Sequence, residues 1–480
     1  MKKILISVLS LLLIAVLFVS CGGSGETQES VTESESETET SETLGQQGGE
    51  ESESESDTET FTADETYSGT EKASGDCGSD MTWSLYDDGT LAIYGHGDMD
   101  DYDYVSKKLA PWFGYRSEIT SVIIGKNVFN IGEYAFYALT ELENVTMGAR
   151  VSEIGERAFL DCTSIEAITI GANVKTIGAS AFNHCISLEE INIPEGVEKI
   201  DSYAFHHCIN AKSASLPASV KEMGIGVFQN CTALENVTID AEIEVYELPE
   251  ATFASCEKLV AVTIPEGIDY IGDFAFEGCK SLTAITIPQN VLEIGAYAFS
   301  GCSELASVNM SDGLEIINSF AFKDCKKIKE LVIPDSVTEI KGFALNGCTS
   351  LAKLTVPFVG MRADDNEQSG AVFGIIFGYT DLSERDTVEQ QFSEKGKNYY
   401  YVPSTLTSVT VTSDDVIPYG AFSGCVAIKE FTFGASLTEF SAKVIEGCTG
   451  LTQVNYAGSE SNWAKIIGSG QFRDITTSFN

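Results

Sequence analysis

Apolar residues recur along most of the chain in one repeated text. Leu188 to Cys208 reads LEEINIPEGVEKIDSYAFHHC, Leu282 to Cys302 reads LTAITIPQNVLEIGAYAFSGC, and Ile328 to Cys348 reads IKELVIPDSVTEIKGFALNGC. One Ala-Phe pair per copy sets the register, at Phe136, Phe159, Phe182, Phe205 and Phe228, then Phe253, Phe276, Phe299 and Phe322. Leu345 takes the next slot and, after an interruption, Phe422 and Ile445 follow. The step is 23 residues, except for one of 25 (Phe228 to Phe253) and one of 77 (Leu345 to Phe422). Twelve units at a fixed period predict a solenoid, because a unit this short buries its apolar face only against its neighbours.

Within a unit the first part alternates apolar and polar residues (Ile191 and Ile193 around Asn192), which predicts a strand with one buried face. Proline follows in Pro194, Pro217, Pro265, Pro288, Pro334 and Pro357. Lacking an amide hydrogen, it ends the strand. The next segment (V-x-x-I-G) predicts a second short strand, with Gly155, Gly178, Gly272 and Gly295 expected to supply a positive φ at the corner after it. The A-F-x-x-C segment is too short for a stable helix and predicts one helical or 3₁₀ turn with Phe and Cys pointing inward. The expected fold is therefore a β-rich solenoid of tandem 23-residue leucine-rich-type repeats, two short strands and a turn in each. At about 4.8 Å per unit, it should form a rod on the order of 60 Å long.

The flanks differ from the repeats. Residues 1–20 carry Lys2, Lys3 and an apolar run from Ile4 to Val19, an export signal. The segment ends Phe18-Val19-Ser20-Cys21, which resembles the lipobox of bacterial lipoproteins and makes Cys21 the expected lipid attachment site. Residues 21–74 are rich in Ser, Thr and Glu and predict a disordered, self-repelling tether. Residues 75–118 contain MTWSLYDDGTLAIYG, alternating on both sides of Asp88-Gly89, and predict a β-hairpin that caps the first repeat. Ten units fill 119–357, an insertion without the repeat text fills 358–404, two units fill 405–457, and 458–480 close the chain with Trp463 as the expected plug. Solenoid insertions map to one face, often the binding face. The insertion's aromatic residues Phe373, Phe377, Tyr379, Tyr399, Tyr400 and Tyr401 are therefore the candidate ligand contacts, against the alternative of a hairpin or helix packed on the rod. Deleting 358–404 is expected to leave the rod folded.

Charge and cysteine usage narrow the function. The net charge is −43, of which the sixteen acids between Glu26 and Glu71 contribute −16. An acidic surface argues against nucleic acid and against docking on anionic lipid. Eleven of the thirteen cysteines share one repeat position and read as small buried hydrophobes rather than disulfides. No C-x-x-C pair supports zinc or iron–sulfur, and no nucleophile elbow, H-E-x-x-H or P-loop is present. His184 and His207 stack one unit apart, but their slot elsewhere holds Asp161, Asn230 or Gly278, which marks an exposed turn. Asp98, Asp100, Asp101 and Asp103 lack EF-hand spacing and read as a solvated acidic loop.

The repeated I-P-x-x-V-x-x-I-G-x-x-A-F-x-x-C text resembles the BspA-type leucine-rich repeats of bacterial cell-surface proteins. The end segments Thr82 to Met99 and Tyr456 to Trp463 also resemble those of such proteins. The resemblance implies a surface protein, and some relatives are adhesins for host matrix or other cells. The expectation is a lipid-anchored, extracytoplasmic monomer at the cell surface that binds an extracellular protein or glycan, with no cofactor, no metal, no nucleic acid and no catalysis. A structural envelope protein and a surface polysaccharide-handling enzyme are the alternatives.

Overall fold

A computed structural model describes residues 67–362, 371–380 and 386–479. The export signal, Cys21 and the tether up to residue 66 lie outside the described residues, as do 363–370 and 381–385 of the insertion. The described residues belong to one compact unit, Thr62–Asn480.

The typical repeat is one coil with two short strands and a corner, although residues 165–170 and 262–264 hold the place of the first strand without forming one. The first strands pair in parallel with a constant offset, so Glu190, Ile191 and Asn192 face Ser213, Ala214 and Ser215. The second strands stack likewise, Thr176 beside Lys199 and Lys199 beside Glu222. Their inward residues, such as Ile191, Ile177 and Ile200, are buried, as the alternation requires.

The corner is not the helical turn that the sequence suggests. It is a run of overlapping turns with two left-handed residues per coil, for instance Arg157 (φ 56) and Asp161 (φ 62) around Phe159. A helix would satisfy its amides internally. Here the amides of Arg157, Phe159 and Asp161 instead donate to the carbonyls of Ala179, Ala181 and Asn183 in the next coil, at 2.8–3.0 Å. The corner thus acts as a third ladder. Its phenylalanines form a fully buried column whose ring centroids lie 5.1 Å (Phe136–Phe159) to 6.0 Å (Phe205–Phe228) apart. Burying each side chain contributes about 2–3 kcal/mol.

The glycine after the second strand has a different role from the one expected. Gly155 and Gly178 do not have a positive φ. A Cβ on Gly155 would come within 2.7 Å of the Ile131 carbonyl oxygen, and one on Gly178 within 2.7 Å of the Glu156 nitrogen. Close approach of successive backbones selects glycine there.

The repeat cysteines are free thiols, all buried except Cys448, which is partly covered. Each of Cys162, Cys185, Cys208 and their successors to Cys348, and Cys448, donates its Sγ–H to the phenylalanine carbonyl of the preceding coil, at 3.1–3.3 Å. The slot therefore needs a small apolar side chain with one weak donor.

Both ends are covered. Strand Glu71–Gly78 pairs antiparallel with Met81–Tyr86, which forms the hairpin with Thr90–Gly95. The cap therefore starts before residue 75, because Glu71 to Ser74 join its sheet. Trp112 is fully buried, donates from Nε1 to the Ala135 carbonyl (2.8 Å) and stacks on Phe136 at 5.9 Å, topping the column. At the other end Trp463 shares the plug with buried Phe472, 5.8 Å away, and strand Thr476–Phe479 adds a parallel edge beside Gln453–Tyr456.

Phe299→Ala should cost about 3–5 kcal/mol in urea unfolding. Phe299→Leu should cost under about 1.5 kcal/mol, because Leu345 already fills the equivalent slot and is buried. Equal costs would mean that the column does not depend on filling that volume.

Candidate functional site

The insertion starts as a coil that the repeat text does not mark. Leu351 to Pro357 reads LAKLTVP, the opening of a unit, and strand Lys353–Val356 pairs both backward with Glu330–Val332 and forward with Ser408–Val411. Phe358 and Val359 enter the core, and the Ile340 amide donates to the Met361 carbonyl. A 3₁₀ segment, Phe373–Ile376, then occupies the corner. The amides of Phe343 and Leu345 donate to Ile375 and Ile376, and the amide of Phe373 donates to Ala421. The ladder therefore runs on through the interruption, and the expectation that removing 358–404 spares the rod is corrected. That deletion would open the core between Leu345 and Phe422.

After this coil the chain forms a hairpin, strands Thr387–Gln391 and Lys397–Tyr401. Gln390 pins it to the corner: fully buried, its Oε1 accepts from the Gly374 amide (2.6 Å) and its Nε2 donates to the Ala421 carbonyl (3.1 Å). Gly420 and Gly424, both at φ above +60°, lie directly under the hairpin. A Cβ on Gly420 would sit 1.9 Å from the Gln391 carbonyl oxygen. The six aromatic candidates separate accordingly. Phe373, Phe377 and Tyr400 are fully buried and are core residues, unavailable to a ligand. Tyr399 is partly covered and donates from its hydroxyl to Glu389 (2.8 Å), and Tyr401 is also partly covered. Tyr379 is 50% exposed.

Tyr379 leads to a feature that the insertion alone does not disclose. It packs edge-on against Phe343, at 5.5 Å between centroids. Phe343 stacks on Phe320 (5.0 Å), Phe320 on Tyr297 (4.7 Å) and Tyr297 on Phe274 (5.1 Å). These four residues occupy the left-handed slot two before the buried phenylalanine of each coil (Leu345 in the coil of Phe343), with φ of 57–69°. Glycine takes the same slot at Gly226 and Gly420 without strain. A bulky side chain there costs about 1 kcal/mol. All four rings are partly exposed, so they form an outer aromatic ridge along the corner that ends at the hairpin. The sequence carried the signal, an aromatic just before Ala-Phe in three successive units and before Ala344-Leu345 in the fourth. It stayed hidden because each residue reads alone as turn text.

Groups capable of chemistry are placed unfavourably for it. Burial pushes the Cys348 and Cys448 thiols up to about 12 and raises Cys162, Cys185 and Cys279 as well, which suppresses the thiolate needed for nucleophilic attack. His184 and His207 do lie side by side, edge to face with centroids 5.3 Å apart, and His184 Nδ1 lies 2.6 Å from Asp161, yet no group of three potential ligands with metal-site geometry occurs among the described residues. Asp101 and Asp103 cap turns by accepting from the amides of Glu133 and Val105.

Sequence comparison matches this architecture. The profile of the BspA type leucine rich repeat region matches in six copies over residues 111–235, 246–361 and 379–478. Its gaps fall in the elongated unit and in the first half of the insertion. No curated protein matches the chain. Among solved structures, a leucine-rich repeat protein from Bacteroides ovatus is 21% identical, covering 84% of this chain and 98% of its own, with a TM-score of 0.48. One from Eubacterium ventriosum is 22% identical over 79% and 90%, with a TM-score of 0.42. A leucine rich cell surface protein from Faecalibacterium prausnitzii is 22% identical over 84% and 98%, with a TM-score of 0.36.

One partly buried carboxyl ties the insertion to the next coil. Asp414 accepts the Val359 amide at 2.7 Å, and burial, with the charge of Asp415, pushes its carboxyl up to about 7. The folded chain holds that proton up to about pH 7, whereas the unfolded chain releases it near its ordinary value of 3.8. The folded state thus binds more protons in this window, so stability should fall as pH rises from about 4 to about 7. Asp414→Asn should flatten this part of the melting-temperature profile, and an unchanged slope would show that another group titrates.

Proposed function

The chain belongs to the BspA-type leucine-rich repeat family, and from that premise we propose that it is a lipid-anchored bacterial cell-surface protein. Its solenoid binds an extracellular protein or glycan in an adhesion-type role, without catalysis. Proteins with this repeat are cell-surface proteins, and the lipobox-like segment ending at Cys21, followed by an acidic tether, suits presentation away from a membrane.

The observation that carries the binding reading is the strained aromatic ridge from Phe274 to Tyr379, ending at a hairpin held by buried Gln390. A spacer without a ligand needs neither bulky residues at left-handed positions nor a rigid wall beside them. Catalysis would need an accessible nucleophile or a poised acid–base pair, and the buried thiols do not supply one.

The test is to probe arrays of matrix proteins and glycans with the full chain and with a Tyr379→Ala/Phe343→Ala variant. A ligand whose affinity falls about tenfold or more in the variant is expected. A chain that captures nothing would return the structural envelope reading. Separately, Cys21→Ser should move the protein from the membrane fraction to the soluble fraction, and retention in the membrane would contradict lipid anchoring at that residue.

A further inference from the structure

The binding reading leaves the partner's chemistry open, and the surroundings of the ridge narrow it. The slots beside Phe274, where the stack begins, hold Glu250, Asp273 and Glu277. Asp273 is engaged, accepting from the Ala296 amide (2.6 Å) and the Tyr270 hydroxyl (3.3 Å). Glu250 is exposed and Glu277 partly covered, and neither has an ion-pair partner among the described residues. Burial raises both carboxyls, so both would gain from a cation placed beside them. Some acids elsewhere on the corner already have a cation in contact, as Glu257 has Lys280 and Glu156 has Arg157, whereas Glu277 feels only the more distant charge of Lys323.

The protein itself shows how a cation fits this corner. Arg157 occupies the slot that aromatic residues fill further along. Its guanidinium lies 5.3 Å from the centre of the Tyr134 ring in the preceding coil, donates to the Tyr134 hydroxyl (2.7 Å) and pairs with Glu156. Glu250 holds the same place in its own coil as Glu156, but the neighbouring slot is Ala251. The ridge therefore offers aromatic and carboxylate partners without the arginine.

Resting on the binding reading above, we propose that the ridge from Phe274 to Tyr379 docks a basic polypeptide segment, whose aliphatic side chains lie on the ring edges and whose arginine or lysine heads reach Glu250 and Glu277. Charge complementarity favours this occupant over a second copy of the chain, since the net charge of −43 makes two copies repel. A neutral glycan is disfavoured because the rings are stacked on one another and turn mainly their edges outward, whereas sugars pack on ring faces.

The test measures fluorescence anisotropy of a labelled ten-residue peptide alternating arginine and leucine with the detergent-solubilised full chain. Glu250→Gln/Glu277→Gln leaves the rings intact and should weaken binding about 3- to 10-fold, and Tyr297→Ala/Phe320→Ala should weaken it about 10-fold or more. Glu166→Gln/Glu235→Gln removes the same charge beside the first strands and should change it less than about twofold. Circular dichroism melting shows which variants remain folded. Equal losses from the two charge variants would reveal diffuse attraction and overturn the proposal. So would unchanged binding in the ring and Glu250/Glu277 variants, or preference for a peptide with glutamate in place of arginine or for chitohexaose. If an array ligand still depends on the ridge while the basic peptide does not, this proposal falls and the binding reading stands.

Discussion

The stacking of one corner on the next is the constraint on which the rest of the molecule depends. Both sheets are interrupted at the elongated unit. The second splits between Glu222–Met223 and Glu247–Leu248, and the first narrows to a single bridge between Asn236 and Ala261. The corner crosses that break, with the amides of Gly226, Phe228 and Asn230 donating to Glu250, Thr252 and Ala254 at 2.8–3.0 Å. It crosses the insertion too, through Ile375, Ile376 and Phe373. The phenylalanine column and the cysteine thiols fix the distance between coils, and the strands follow that spacing. Ion pairs between successive coils, such as Lys175, Glu198 and Lys221, are exposed and contribute little.

A corner built in this way also sets what the outer surface can present. Every repeat coil places two residues in the left-handed region, and glycine is the least strained choice. Where the chain places Phe274, Tyr297, Phe320 and Phe343 instead, neighbouring rings come within 4.7–5.1 Å. Stacking offsets part of the strain, and the same spacing turns isolated aromatics into a continuous ridge. The hairpin ends that ridge because Gly420 and Gly424 give it room to press against the corner.

Much of this was legible in the sequence, and the rest was hidden for physical reasons. The period, the buried Ala-Phe pair and the inert cysteines follow from apolar spacing alone. The corner's conformation did not, because A-F-x-x-C fits a helical turn equally well until its amides are seen to bond to the next coil. The insertion's first coil was missed because its corner is filled by Phe373–Ile376 without the repeat text, although LAKLTVP announced its strand. Three of the six aromatic candidates were misplaced for the same reason. Tyr379, another of the six, is half exposed, but its neighbours on the ridge lie in other units and become adjacent only once the coils are stacked.

Native-state hydrogen exchange tests the primacy of the corner most directly. The account predicts that the amides of Phe159, Phe182, Phe228, Phe253, Phe276 and Phe373 exchange slowest, with comparable protection on both sides of the elongated unit and through the insertion. Amides of the second strands next to the break, near Met223 and Leu248, should exchange sooner. Corner amides that exchange before those of the first sheet would contradict it, and would make the strands the element that holds the solenoid together.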